Sequence, residues 1–260
     1  MKRPLRILIS SGPTREPIDP IRFISNYSTG YMGAQLAAET LARGHWATVV
    51  SGPTTESLPT GARVISVENA GEMERALRRE AREADVIIMA AAVSDFRPVR
   101  PASAKLQRRS RMTLRLEPTP DIIARLPRSS NQVVVGFALE TDHVLSRAQR
   151  KLHAKRLDLL LAQHVRPRAV LRPARPGTHD WRAGERSRRT QQANGEGLPF
   201  GRRKVRAWLL MRGGKARALG RLSKPAVARV LLDKIEALWY GQPRTKPERK
   251  TVDVALAAAR

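Results

Sequence analysis

The chain contains no cysteine among its 260 residues. That excludes a disulfide scaffold, a thiolate nucleophile and a Cys metal site. Aromatic residues make up only 4%, so the stacking platforms that single-stranded nucleic acid uses are scarce. Acids are few, with 23 Asp and Glu against 49 Lys and Arg and a formal charge of +26. No run approaches the roughly eighteen apolar residues of a membrane helix. The start, MKRPLRILISSGP, turns polar too soon for a signal peptide. There is no HExxH and no Ser-His-Asp order, and His45, His143, His153, His164 and His179 form no metal-ligand pattern. These absences point to a cytoplasmic protein with no membrane segment and no metal held by its own side chains.

The excess charge is unevenly spread. From His164 to Arg206 there are 12 Lys or Arg against Asp180, Glu185 and Glu196. Scattered Pro and Arg with little apolar periodicity read as disorder or as an unusual insert. Taken alone, the charge argues for a nucleic-acid partner.

Up to Ala162 strand and helix patterns alternate. Strand-like runs are Leu5–Ser11, Ala47–Ser51, Arg63–Val67, Val86–Ala92, Val133–Ala138 and Leu157–Ala162. Helical runs are Met32–Arg43, Ala70–Arg82, Asp121–Leu126 and His143–Lys155. Near-continuous apolar runs such as VIIMAAAV predict a mostly parallel sheet covered on both faces, an α/β Rossmann-like doubly wound fold. Ala207–Met211 and Ala216–Leu219 then flank the turn signal Arg212-Gly213-Gly214-Lys215, a short antiparallel extension. Ser223 caps a closing helix from Lys224 to about Leu238, with Val227, Val230, Leu231, Ile235 and Leu238 on one face. Residues 1–240 read as one domain and 241–260 as a polar tail.

Between the first strand and the first helix lies SGPTREPIDPIRFISNYSTGYMG, Ser11 to Gly33. A strand, a glycine-bearing loop and a helix start in that order build an anion site. Backbone N–H groups approach the phosphate and the helix terminus adds partial positive charge. Gly12, Gly30 and Gly33 suit that role, and Arg15, Arg22, Asn26, Ser28 and Thr29 suit a polar substrate. The bland alternative is a long surface connection, although such loops in compact domains are usually functional. A second segment, MAAAVSDFRP from Met89 to Pro98, ends a buried strand with small residues and then projects Asp95. Asp95 is either a functional group at the strand's carboxyl end or a turn cap.

The wording of the first loop resembles that of the phosphopantothenate–cysteine ligase family, whose bacterial members read roughly GPTREPIDPVRxISNxSSGxMG. Thr29 and Tyr31 depart from it. Thr29 keeps a hydroxyl, and Tyr31 stands where a lysine is common. The resemblance covers about Leu5 to Ala162 and resumes near Trp208, where SKPAVARVLLDKI is similar to a closing family helix. It implies that Asn26 and Lys105 are catalytic. It implies that Arg22, Asn26, Ala91, Ala92 and Asp95 bind substrate, with Arg22 acting across a homodimer. It assigns nucleotide contacts to Gly12, Ser28, Gly30, Gly33, Met89, Asp95, Lys105, Pro120-Asp121-Ile122-Ile123, Phe137, Lys151 and Lys155.

Taken without the resemblance, several of these have ordinary readings. Lys105 would be a surface charge, Asp121 a helix cap and Phe137 a core residue. Lys151 and Lys155, four apart on one helix face, would be a common exposed pair.

The resemblance further implies a ligase that joins 4′-phosphopantothenate to L-cysteine in coenzyme A biosynthesis, using CTP and Mg²⁺. An acyl-cytidylate would form with release of pyrophosphate, and cysteine would displace CMP. The chain carries no flavin-binding half, so a flavin decarboxylase is expected as a partner or as a preceding domain. The family's AND and GFGSDxN motifs are replaced by Ala162-Gln163-His164 and the Arg/Pro-rich run. With length roughly preserved, that segment is either a stretch read in a shifted frame or a divergent basic insert. The competing functions are a basic nucleic-acid-binding protein and an NAD(P) oxidoreductase. The second lacks the GxGxxG fingerprint.

Overall fold

The computed structural model describes residues 2–165, 201–202 and 204–241. The reading of the basic segment as an insert or shifted frame falls mainly on 166–200, outside the described residues. So does the reading of the polar tail from 242 onward.

Eight strands form the main sheet: β1 (Arg6–Ser11), β4 (Trp46–Ser51), β5 (Arg63–Ser66), β6 (Val86–Met89), β9 (Val133–Glu140), β10 (Leu159–His164), β11 (Val205–Met211) and β12 (Arg217–Leu222). Their order across the sheet is β12-β11-β10-β9-β6-β1-β4-β5. All neighbours pair in parallel except β10 with β11 and β11 with β12. The chain leaves β1 toward β4 and β5, then crosses back to β6 on the other flank. The switch point of this doubly wound sheet therefore lies between β1 and β6, where ligands sit in such folds.

Side chains alternate across the strands and feed cores on both faces. Ile7, Ile9, Val86, Ile88, Val133, Val135, Leu159 and Leu161 pack under α1 (Tyr31–Ala42) and the closing helix α5 (Lys224–Tyr240). Leu8 and Ile87 pack with Met73 and Leu77 of α2 (Ala70–Ala81) and with Ile122 of α3 (Ile122–Arg125). Val134 and Leu160 pack with Ala148 and Leu152 of α4 (Val144–Ala154). The α5 stripe includes Val227, Leu231 and Ile235 as its spacing predicts, with Ala228, Leu232 and Trp239 also buried. Among the described residues no helix is long and apolar enough to cross a membrane.

Some boundaries differ from the sequence expectation. The strand read as Val86–Ala92 ends at Met89, because Ala91 N–H donates to Ser10 Oγ and Ala92 N–H to the Gly12 carbonyl. The strand read from Leu157 begins at Leu159, because Leu157 N–H still closes α4 on the Leu152 carbonyl. Two short ribbons are not foreshadowed by any periodicity. β2 (Arg15–Pro17) pairs with β3 (Phe23–Ser25), and β7 (Phe96–Pro98) with β8 (Leu116–Pro118).

Candidate active site

The loops that follow β1 and β6 are laced together at the switch point. Pro13 bridges Ala92 in parallel, and the Gly12 carbonyl accepts from Ala92 N–H at 2.9 Å. Thr14 Oγ1 accepts from Ser94 N–H at 3.0 Å, while its carbonyl accepts from Ser25 Oγ at 2.8 Å. Asn26 Nδ2 donates to the Val93 carbonyl at 2.8 Å and lies 3.4 Å from that of Ala92. Asn26 is thus brought against the Ala91–Asp95 segment. Ser94 Oγ is buried in that segment, without a hydrogen-bond partner among the described residues.

The first loop ends at the start of α1. Gly30 takes φ +78 as N-cap, a left-handed conformation that glycine adopts without strain. Gly30 has no side chain to cap the helix and the Tyr31 N–H donates to Thr29 Oγ1 at 3.3 Å, so among the described residues the N–H groups of Met32 and Gly33 are left for another acceptor. Gly33 lies hard against β1: a Cβ there would fall 2.1 Å from Ser11 Oγ. The absent side chain lets the helix start sit directly over the strand end. A small pocket of about 30 Å³ opens there between Ser28–Gly33, Ala90 and Lys224.

A second group gathers at the carboxyl side of β9. Thr119 N–H donates to the Asp95 carbonyl at 2.9 Å, tying the Pro120-Asp121 turn to the Asp95 segment. Asp121 caps α3 by accepting from Ala124 N–H, and it also pairs with Lys155 Nζ at 3.0 Å. Lys151 Nζ donates to the Phe137 carbonyl at 3.0 Å. Burial first, and then the neighbouring Lys155, lower the Lys151 pKa. Phe137 is half-buried against the core. Ile122 and Ile123 are buried in the two cores flanking α3, so of this turn their backbone, and not their side chains, is open to contact. Met89 also packs into both of those cores. Beyond them, at the carboxyl ends of β9 and β10, lies a wider recess of about 350 Å³ bordered by His143, His164, Arg206 and Trp208.

Lys105 is exposed on the connection between β7 and β8. Its neighbour Leu106 is anchored at both backbone groups: its N–H donates to Asp19 Oδ2 at 3.1 Å, and its carbonyl accepts from Arg22 at 2.8 Å. Arg22 also pairs with Asp19 through two nitrogens. The Arg22 guanidinium, with the N–H groups of Ile21, Leu106 and Arg22, holds the Asp19 carboxyl well below the usual carboxylate range. Arg22 therefore positions the Lys105 segment within its own chain, a role its sequence context does not reveal.

Sequence reasoning also passes over Thr14, Asp19, Thr119 and Lys224. Lys224 does carry a signal. It is the first residue of a Ser-capped helix, where the macrodipole disfavours a cation. Among the described residues no group of three or more His, Cys, Asp or Glu could hold a metal.

Residues 3–175 match the family described as DNA/pantothenate metabolism flavoprotein C-terminal domain. A cysteine/cysteine sulfinic acid decarboxylase from an unknown prokaryotic organism is 45% identical over 165 residues, which are 62% of this chain and 46% of that protein. The coenzyme A biosynthesis bifunctional protein CoaBC of Vibrio vulnificus is 42% identical over 164 residues, 61% of this chain and 41% of the relative. The chain spans less than half the length of these relatives. Among solved structures, the C-terminal domain of a CoaBC protein superposes with TM-score 0.68 at 29% identity, covering 92% of this chain and 97% of that one. A Cab2 variant in complex with phosphopantothenate-cysteine shares the fold, with TM-score 0.59 at 18% identity over 91% of this chain and 88% of that one.

Proposed function

The chain belongs to the DNA/pantothenate metabolism flavoprotein C-terminal domain family, and from that premise we propose that it is a ligase joining 4′-phosphopantothenate to L-cysteine in coenzyme A biosynthesis. The observation that carries the reading is the lacing of the Ser11–Gly33 loop onto Ala91–Asp95 through Asn26 and Thr14. It gathers an amide donor, a helix N-terminus and a carboxylate at the switch point of the sheet.

In this reading the substrate carboxylate attacks the α-phosphate of CTP. Activation is required because a carboxylate is a poor electrophile. The C–O–P bond forms as pyrophosphate leaves, giving an acyl-cytidylate. The amine of cysteine then attacks the acyl carbon and CMP departs with the bonding pair. Asn26 Nδ2 keeps one hydrogen on the Val93 carbonyl, and the other, exchanged from its long 3.4 Å contact with the Ala92 carbonyl to the acyl oxygen, would stabilise charge in the second step. Lys105 would follow the polyphosphate as charge moves to the leaving group. The helix α1 start takes phosphate oxygens, and the Asp121–Lys155 and Phe137–Lys151 contacts border the nucleotide. With no cluster of acids or histidines to hold a metal among the described residues, Mg²⁺ would be carried mainly by phosphate oxygens and water, which suits that ion. Bound so, it would neutralise developing charge on the triphosphate.

A homodimer belongs to the same proposal. Ile21, Phe23, Phe96, Val99 and Leu116, on or beside the two small ribbons, are exposed, and an apolar patch of that kind marks an interaction surface. A flavin decarboxylase is the proposed partner activity, since relatives that this chain matches over part of their length are bifunctional.

Mixing the protein with CTP, 4′-phosphopantothenate and cysteine tests the reading. Release of pyrophosphate and CMP with formation of phosphopantothenoylcysteine is expected. No product with any nucleoside triphosphate would refute the ligase assignment, and product with ATP alone would correct the nucleotide.

A further inference from the structure

Lys224 is buried, only 6% exposed, and it borders the small pocket at the start of α1. Among the described residues it makes no hydrogen bond and no ion pair. The nearest ring is that of Tyr31, whose centroid lies 6.0 Å from Nζ. Glu56 draws on it electrostatically from beyond ion-pair range and is itself paired with Arg202 at 3.5 Å.

An ammonium in this position bears two costs at once. It has left water without a paired charge. It also stands at the first position of α5, where the helix dipole repels a cation. A lysine kept only for its aliphatic stem would turn its head to solvent. This one faces a recess whose other polar groups are largely donors: the N–H groups of Met32 and Gly33 at the α1 start, and the O–H groups of Ser28 and Thr29, whose oxygens already accept from the N–H groups of Gly30 and Tyr31. The recess has room for about two waters, so it suits the head of an oxyanion and not a nucleoside. A phosphoryl group answers all of these features. Its charge neutralises the ammonium, and its oxygens accept from the helix start.

We propose that Lys224 is the charged ligand of a phosphoryl group bound at the start of α1, carried to the first loop by the closing helix. Position 31 on the opposite wall holds a tyrosine, so among the residues bordering the pocket the cation comes from α5. The phosphoryl class follows from the pocket itself. That the donor is CTP or 4′-phosphopantothenate rests on the ligase reading above.

Calorimetric titration of the full chain with CTP, with 4′-phosphopantothenate and with unphosphorylated pantothenate tests this, alongside thermal unfolding without ligand. In Lys224→Met the affinity for one phosphorylated ligand should fall at least tenfold, while the ligand-free unfolding temperature stays equal or rises. Loss for CTP alone assigns the pocket to the nucleotide, and loss for 4′-phosphopantothenate alone assigns it to the substrate monoester. Lys224→Arg should bind within about threefold of the wild type. Adding Tyr31→Lys to Lys224→Met should restore part of the affinity from the other wall. Wild-type protein that binds neither phosphorylated ligand, or Lys224→Met that binds both as the wild type does, would overturn the proposal. So would a lower unfolding temperature with unchanged binding, which marks a structural lysine. If phosphate binding depends on Lys224 but the full mixture gives no product, the ligase reading fails and this inference stands.

Discussion

Asn26 and Val93, 67 residues apart in sequence, meet through a hydrogen bond of 2.8 Å from the side-chain amide to the main-chain carbonyl. This contact closes the first loop onto the segment that bears Asp95. Replacing Asn26 by Asp keeps the size but sets a carboxylate against that carbonyl and removes the donor. The second half-reaction should suffer more than the first, with acyl-cytidylate accumulating in a quench experiment and little final product. Equal loss in both steps would show that Asn26 serves only to shape the loop.

Lys105→Gln should slow turnover about ten- to a hundredfold, the effect of one lost charge-assisted contact of about 1.5–3 kcal/mol. Leu106 is held by its backbone and not through Lys105, so the unfolding temperature should not move. Steady-state kinetics at high and low CTP, with calorimetry as control, decide this.

Asp19→Asn removes the partner of Arg22 and weakens the anchor at Leu106. Turnover should drop, and limited proteolysis within residues 99–115 should quicken, while the main sheet persists in circular dichroism. The sign of the pH effect follows from the depressed Asp19 pKa. A carboxyl lowered in the folded state stabilises above its unfolded value of about 3.9, and that stability is lost as pH falls through the lower folded value. Proteolysis of 99–115 with an acid-active protease should therefore remain slow at pH 4.

Burial lowers the Lys224 pKa from 10.5 to about 8. A lysine depressed on folding destabilises fully below the folded value, and the cost disappears as pH rises from there toward the unfolded value. Between about pH 8 and 10.5 the ligand-free protein should gain on the order of 3 kcal/mol relative to Lys224→Met. Glu56, Arg202 and Tyr31 surround this group, so the variant is the required reference. Phosphoryl affinity should decline over the same range as the ammonium discharges. Denaturant unfolding and titration across pH 7–10.5 measure both.

The main sheet is legible in the sequence because its central strands are buried on both faces and read as unbroken apolar runs, as in Ile7 to Ile9 and Val86 to Ile88. The ribbons are not, since three residues such as Phe23–Ser25 carry no period. Ala90–Ala92 misleads for a related reason: small apolar residues continue a strand pattern after their hydrogen bonds have turned to Ser10 and Gly12. Of the site, Asn26 and Asp95 are legible through the wording of their segments. Arg22 is singled out by the same wording, but its pairing with Asp19 and the Leu106 carbonyl is not. Lys224 is hidden by distance in sequence, since only the packing of α5 on α1 brings it to Ser28–Gly33.

That packing has a consequence for biosynthesis. The inner face of α1, with Leu36 and Ala37, shares its core with Val227 and Leu231 of α5, which emerges from the ribosome long after α1. At about 5–20 residues per second, α1 waits roughly 10–40 s for its cover. During that interval the nascent chain presents apolar surface and lacks one wall of the small pocket at the α1 start, so co-translational chaperone capture should be strongest before residue 224 is made and should end once α5 docks.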